Sequence, residues 1–173
     1  MLQIKAFFDD KTSTVTYVVW DSATREAAII DPVLDYEPHA ARLTTTSVDS
    51  VLDVAADLGL KVVWALDTHA HADHLSATHH IHEVTGAKVG IGARITEVQR
   101  VFSSMFHATD VCPNGGAFNE LFDDGETFAL GDLTVRVMHT PGHTPACVTY
   151  VIDDAAFVGD TMFMPDYGTA RAD

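Results

Sequence analysis

Hydrophobic and polar positions alternate between two periods along this chain. Leu2 to Phe8, Thr14 to Trp20 and Glu26 to Ile30 are three short apolar or β-branched runs. Asp9-Asp10 and Asp31-Pro32 interrupt them, and the pattern predicts an antiparallel meander. Asp35 to Thr46 is polar and reads as a surface loop. From Ser47 to Leu58 the apolar residues Val48, Val51, Leu52, Ala55 and Leu58 fall at helical spacing, with Ser47 as N-cap and Gly59 as stop. Lys61 to Leu66 is continuously apolar, as in a strand covered on both faces. A helix is predicted over Leu75 to Thr85, a strand over Lys88 to Ile91 and a helix over Ile95 to Phe106.

The middle therefore alternates β-α-β-α, the pattern of an α/β layered fold. Val111 to Asn119 reads as a loop. Strands follow at Glu126 to Leu130, Leu133 to Met138, Ala146 to Ile152 and Ala155 to Val158, with turns at Gly131-Asp132 and Asp153-Asp154. No internal repeat and no interdomain linker stands out, so residues 1–173 are expected to form one domain.

Charge and length narrow the function classes. The chain has 173 residues, 47% of them apolar, which suits an ordered domain with a core. Twenty-five acids against ten bases give a net charge of −15. That argues against nucleic acid, whose binding needs Lys and Arg on phosphates, and against anionic membranes. No apolar run approaches the ~20 residues that span a bilayer, and no secretory signal is visible. Cys112 and Cys147 make no disulfide framework, so the expected compartment is cytoplasmic.

Ten histidines are the unusual count. Three times a strand ends and a His or Asp follows at once: at His69 to His74, at His143 and at Asp160. Sites in layered α/β folds gather at strand ends, so these three points are candidates for one site. In an extended segment His69 and His71 project to the same side, with Asp73 and His74 close behind. Imidazole and carboxylate suit zinc or iron. Pro141-Gly142 makes the turn that aims His143, and Asp160 follows Gly159 at the end of an apolar strand. Two His and one carboxylate is the facial set of non-haem iron(II) oxygenases, whereas a fuller set could hold one or two zinc ions for hydrolysis; spacing leaves both open.

The remaining histidines carry plainer expectations. His79, His80 and His82 read as solvated helix surface, with His79 paired to Glu83. His39 and His107 are loop residues, and His139 is structural. Cys147 is a small buried strand residue, Asp31 a turn residue near the site, and Met162 to Met164 core or pocket wall.

His-x-His-x-Asp-His at 69–74, Thr-Pro-Gly-His at 140–143 and Gly-Asp-Thr at 159–161 resemble the metallo-β-lactamase superfamily. The resemblance implies an αββα sandwich. Within it, Ile30-Asp31-Pro32-Val33 and Met164 to Asp173 resemble the persulfide dioxygenases (sulfur dioxygenases), a branch beside glyoxalase II, in bacterial members often labelled β-lactamase-like hydrolases. That resemblance implies one Fe(II) held by His69, His143 and Asp160. His71, Asp73 and His74 become supporting or second-metal positions, and Arg171 and Asp173 brace the site. The implied reaction oxidises glutathione persulfide with O2 to sulfite and glutathione, within sulfide metabolism. The alternative is a glyoxalase II-like thioester hydrolase with one or two Zn(II).

Family chains continue past Arg-x-Asp, so the C-terminal part of the domain is expected to be absent here. A shortened second sheet would leave an edge in need of a partner, which makes a homodimer an expectation as well.

Overall fold

The computed structural model describes residues 1–108 and 112–169. In chain order the strands and helices begin with β1 (Leu2–Asp9), β2 (Thr14–Asp21), β3 (Glu26–Ile30), β4 (Val33–Glu37) and β5 (Arg42–Thr44). Next come α1 (Thr46–Asp57), β6 (Lys61–Leu66), β7 (Leu75–Ser76), α2 (Thr78–Thr85), β8 (Lys88–Gly92) and α3 (Ile95–Met105). The last are β9 (Glu120–Phe122), β10 (Thr127–Leu130), β11 (Leu133–His139), β12 (Val148–Ile152) and β13 (Ala155–Phe157), followed by a 3-10 turn over Gly159–Thr161. This is the mixed α/β content expected. Among the described residues no helix is long and apolar enough to cross a membrane.

Two compact units contain these elements. The first comprises Met1–Asp67, His71–Val89 and Ala129–Thr134. Its strands β1, β2, β3 and β6 are neighbours in that order, the first three antiparallel. β3 and β6 run parallel, with Ile30 opposite Leu66, so the residues after both strands, Asp31 and Asp67, emerge at the same end. Val18, Ile29, Val48, Val51, Val62, Ala65 and Ile81 form its core, joining the sheet to α1 and α2. Of the five positions predicted as helical-periodic, Val48, Val51 and Ala55 are buried, Leu52 is half-buried, and Leu58, at the C-cap, is exposed. Gly86, in the left-handed conformation at φ 74°, ends α2 where the sequence places the stop.

The second unit comprises Thr68–Ala70 with the described parts of 90–128 and 135–173. In it β8 pairs parallel with β9, Gly90 opposite Glu120. β11, β12 and β13 are antiparallel neighbours. Phe122, Phe128 and Tyr150 pack ring against ring.

Several local expectations are corrected. The stretch Asp35 to Thr46 is not simply a loop. β4 and β5 pair through it, Tyr36 opposite Leu43, and β4 also pairs with β7. Its outer residues are exposed, so no buried face marks the strands. Ser47 is not the N-cap. α1 starts at Thr46, Thr45 holds the cap position with its hydroxyl donated to Asp49 (2.6 Å) rather than capping a backbone amide, and Ser47 donates its amide (2.8 Å) and hydroxyl (2.7 Å) to Asp35. A carboxylate from β4 thus meets the positive end of the helix. Leu75 and Ser76 belong to β7, and α2 begins only at Thr78. β9, too short to show a periodic pattern, is an addition.

Candidate metal centre

β6 is parallel to β3 and buried over Trp64 to Leu66. It delivers the chain into the segment 67–74. At its exit the Thr68 carbonyl accepts the Val148 amide at 2.9 Å. The Thr68 hydroxyl lies 3.0 Å from Nδ1 of His69, whose side chain is 1% exposed. With Nδ1 engaged, Nε2 is the nitrogen left to face a ligand.

His143 comes from the loop between β11 and β12. Thr140 donates its amide to the Cys147 carbonyl (2.9 Å), and the Thr144 amide donates to Cys147 Sγ (3.3 Å). These bonds hold the Pro141-Gly142 turn closed. Cys147 is buried as expected, but just before β12 rather than in it, and its sulfur is part of the loop's bonding.

Asp160 sits in the 3-10 turn after β13. Gly159 before it has φ 49°, and a Cβ there would fall 2.2 Å from the Thr68 hydroxyl oxygen, so only glycine fits. The Thr161 hydroxyl lies 3.1 Å from that of Thr140, which in turn lies 3.1 Å from that of Thr149. This chain of hydroxyls ties the Asp160 turn to the residue that follows β11 and to β12.

The three side chains converge. His69 Nε2 and His143 Nε2 lie 3.8 and 3.5 Å from Asp160 Oδ2. The two rings meet edge to face with centroids 5.1 Å apart. All three ligand atoms fall within 4.8 Å of one another. Two imidazole nitrogens and one carboxylate oxygen on a common point form the donor set that a borderline divalent metal takes. The residues present therefore fit such an ion.

In the first unit a second group assembles around His71. Its Nε2 meets Asp31 Oδ1 at 3.1 Å, and its ring stacks on His74 with centroids 4.1 Å apart. His71, Asp73 and His74 offer ligand atoms within 4.8 Å of one another, and so do Asp31, Asp67 and His71. His74 anchors Nδ1 on the Leu75 carbonyl at 3.0 Å, while its buried Nε2 has no hydrogen-bond partner among the described residues. A buried nitrogen in that state is a cost unless something binds it. Asp73 accepts a bond from the Thr14 hydroxyl at 3.3 Å.

Electrostatics in this group are strongly coupled. Burial, reinforced by the charge of Asp31, pushes the Asp67 carboxyl up to about 7, although Ser76, Thr78 and His71 pull the other way. Burial opposes charging His71. The bond to Asp31 and the charges of Asp31, Asp67 and Asp73 outweigh it and carry His71 up to about 9. Burial and the neighbouring His71 charge hold His74 below the ordinary imidazole value.

Asp31 and Asp67 are the members that sequence reasoning underrated. The sequence marks Asp31 only as a turn residue near the site and does not single out Asp67. No local spacing marks them: His69, midway between Asp67 and His71, belongs to the triad with His143 and Asp160, and the register of β3 and β6 is what brings Asp31 and Asp67 to one sheet end. Arg171 and Asp173 lie outside the described residues.

The other histidines divide. His79 pairs with Glu83 at 3.5 Å, as expected of helix surface. His80 and His82 are not simply solvated. His80 bonds Asp49 (2.9 Å), and His82 bonds the Ala87 carbonyl (2.7 Å) beyond the end of α2. His139 Nε2 lies 2.9 Å from the Pro145 carbonyl, a structural role. Met162, Phe163 and Met164 are exposed, not core.

The metallo-β-lactamase superfamily model matches residues 9–172. A probable metallo-hydrolase of Burkholderia pseudomallei is 49% identical over 99% of this chain and 62% of its own. Glyoxylase B2 of Dictyostelium discoideum is 42% identical over 99% of this chain and 60% of its own. The mitochondrial persulfide dioxygenase ETHE1 of Homo sapiens is 30% identical, covering 95% of this chain and 54% of that protein. The crystal structure of ETHE1 from Myxococcus xanthus superposes with a TM-score of 0.74 at 29% identity, covering 98% of this chain and 64% of that one. The chain thus spans less than two thirds of the length of these relatives. Fold, motif order and the extent of the family match lead to one assignment: this chain belongs to the metallo-β-lactamase superfamily.

Proposed function

We propose that this chain carries the metal centre of a non-haem iron(II) persulfide dioxygenase, which converts glutathione persulfide, O2 and water to sulfite and glutathione. One observation carries the reading. His69, His143 and Asp160 present two imidazoles and one carboxylate to a single point, the ligand set of iron(II) oxygenases, which leaves other coordination positions for reactants. The persulfide dioxygenase relatives in sequence and fold support it. When bound, iron would supply the redox chemistry that joins dioxygen to sulfur.

The chain's own residues hold and orient. Thr68 fixes the His69 ring, the Cys147-closed loop aims His143, and the Gly159 turn presents Asp160. No protein nucleophile is required. The expected partner is a small thiol-derived substrate, and the expected setting is the cytoplasm. Oxygen uptake by the iron-loaded protein with glutathione persulfide tests the reading. Stoichiometric sulfite is the expected product, and no uptake with one iron bound per chain overturns it.

A zinc-dependent thioester hydrolase is the second reading. The group at His71, Asp73 and His74 favours it, because the buried His74 Nε2 suits a second ion. So does the similarity to glyoxylase B2. It predicts two zinc ions per chain and turnover of S-lactoylglutathione without oxygen.

A further inference from the structure

We propose that Thr68 is the positioning residue of the metal centre, setting the tautomer of His69 and the placement of Asp160 together; the inference rests on the triad reading above. Thr68 is fully buried at the exit of β6. Its hydroxyl meets one candidate ligand, His69, directly and the residue that precedes another, Asp160. On one side it lies 3.0 Å from His69 Nδ1. On the other it presses against the backbone of Gly159, so closely that a Cβ there would sit 2.2 Å from Oγ1 and 2.9 Å from the Thr68 Cβ. Its carbonyl accepts the Val148 amide, which keeps the residue from rotating with its neighbours.

A neutral imidazole carries one proton, and its position decides which nitrogen has a free lone pair. His69 Nε2 is the atom directed at Asp160 Oδ2, 3.8 Å away. For Nε2 to serve as a ligand, the proton must sit on Nδ1 and be donated to an acceptor. The Thr68 hydroxyl oxygen is in place to accept it. The same oxygen is the wall against which the Asp160 turn packs. A change at Thr68 therefore acts on ring orientation and on carboxylate position at once, without touching the ion.

The test separates hydroxyl from shape. Thr68→Val keeps the branched side chain and loses the acceptor, while Thr68→Ser keeps the acceptor. Metal affinity, read by chelator competition with cobalt(II) and zinc(II), should fall ~10-fold or more in Thr68→Val, the usual size of a lost supporting bond, and stay within about threefold in Thr68→Ser. Long-range 1H–15N spectra of the metal-free protein, at mildly alkaline pH, should show His69 protonated on Nδ1 in the wild type and Thr68→Ser, and shifted toward Nε2 in Thr68→Val.

A wild-type His69 protonated on Nε2 overturns the proposal, and that measurement stands even where Thr68→Val does not fold. Equal affinities for wild type and Thr68→Val overturn it too, as does a Thr68→Ser protein that behaves like Thr68→Val. A wild-type protein that retains no metal overturns the triad reading instead, and the tautomer spectrum still decides the role of Thr68.

Discussion

One missing methyl group governs where Asp160 can be. At Gly159 a side chain would collide with Thr68, and the backbone is in the left-handed region; at Gly142, beside His143, a Cβ meets nothing within 4 Å. Gly159→Ala is therefore expected to lose metal at least ~10-fold, as displaced supporting contacts do, whereas Gly142→Ala keeps affinity within about threefold. Metal retention after dialysis reads both. Removing a donor is harsher: His69→Ala, His143→Ala and Asp160→Ala should each abolish retention. His74→Ala separates the two functional readings, mild for one iron and severe for two zincs. Metal kept by His143→Ala but lost by His74→Ala would contradict the triad.

Away from the centre, Asp21 is buried and its carboxylate accepts the Asp132 amide (3.1 Å), the Ala23 amide (3.1 Å) and the Thr24 hydroxyl (3.1 Å). The Asp132 bond leads in holding its carboxyl well below the usual carboxylate range. A depressed folded-state value means stability that is present above the unfolded value, about 3.9, and lost as pH falls through the folded one. Asp21→Asn should be less stable than wild type at neutral pH. The gap should narrow below about pH 4 in acid-unfolding curves followed by circular dichroism.

Elements place the acids that no local pattern would join. β3 and β6 lie parallel with Ile30 opposite Leu66, and this register brings Asp31 and Asp67 to the same sheet end. Ile29, fully buried in β3, belongs to the core beneath them. Ile29→Ala should cost ~2–5 kcal/mol in urea unfolding, the usual range for such a core truncation. At α1 the cap is supplied from outside the helix by Asp35, so Asp35→Ala should cost ~1 kcal/mol, as a lost N-cap does, while Thr45→Ala costs less.

The strongly periodic elements were legible: β1 to β3, α1, β6 and the Gly86 stop of α2 fall within one or two residues of expectation. β4, β5, β7 and β9 were not. Each is short or exposed, so pairing partners rather than an apolar face define it. Ser47 illustrates the same limit, since a carboxylate 12 residues away in the chain made the cap.

For the molecule, a bound ion is a stabilising ligand. An ion that binds the folded chain and not the unfolded one adds RT ln(1 + [L]/Kd), ~4 kcal/mol at a thousandfold excess over Kd. Chelator should therefore lower Tm, and one equivalent of iron(II) should restore it if a single centre dominates. Elemental analysis then assigns the count. The charge of −15 bears little on this outcome, because the ion's own charge governs its surroundings.

Chain order alone supplied the superfamily motifs and brought forward His69 to His74, His143 and Asp160 as candidate ligands, while the choice of His69, His143 and Asp160 among them came from the resemblance to persulfide dioxygenases. Those signals are local: fixed spacings of imidazole and carboxylate at the ends of apolar runs. Tertiary structure alone added Asp31 and Asp67 to the group around His71, gave Asp35 its cap and placed the Thr68 hydroxyl between His69 and Gly159. Apart from Thr68–His69 and Asp67–His71, these relations join residues far apart in the chain. Strand register and close packing create them, and neither is written in the spacing of any one segment.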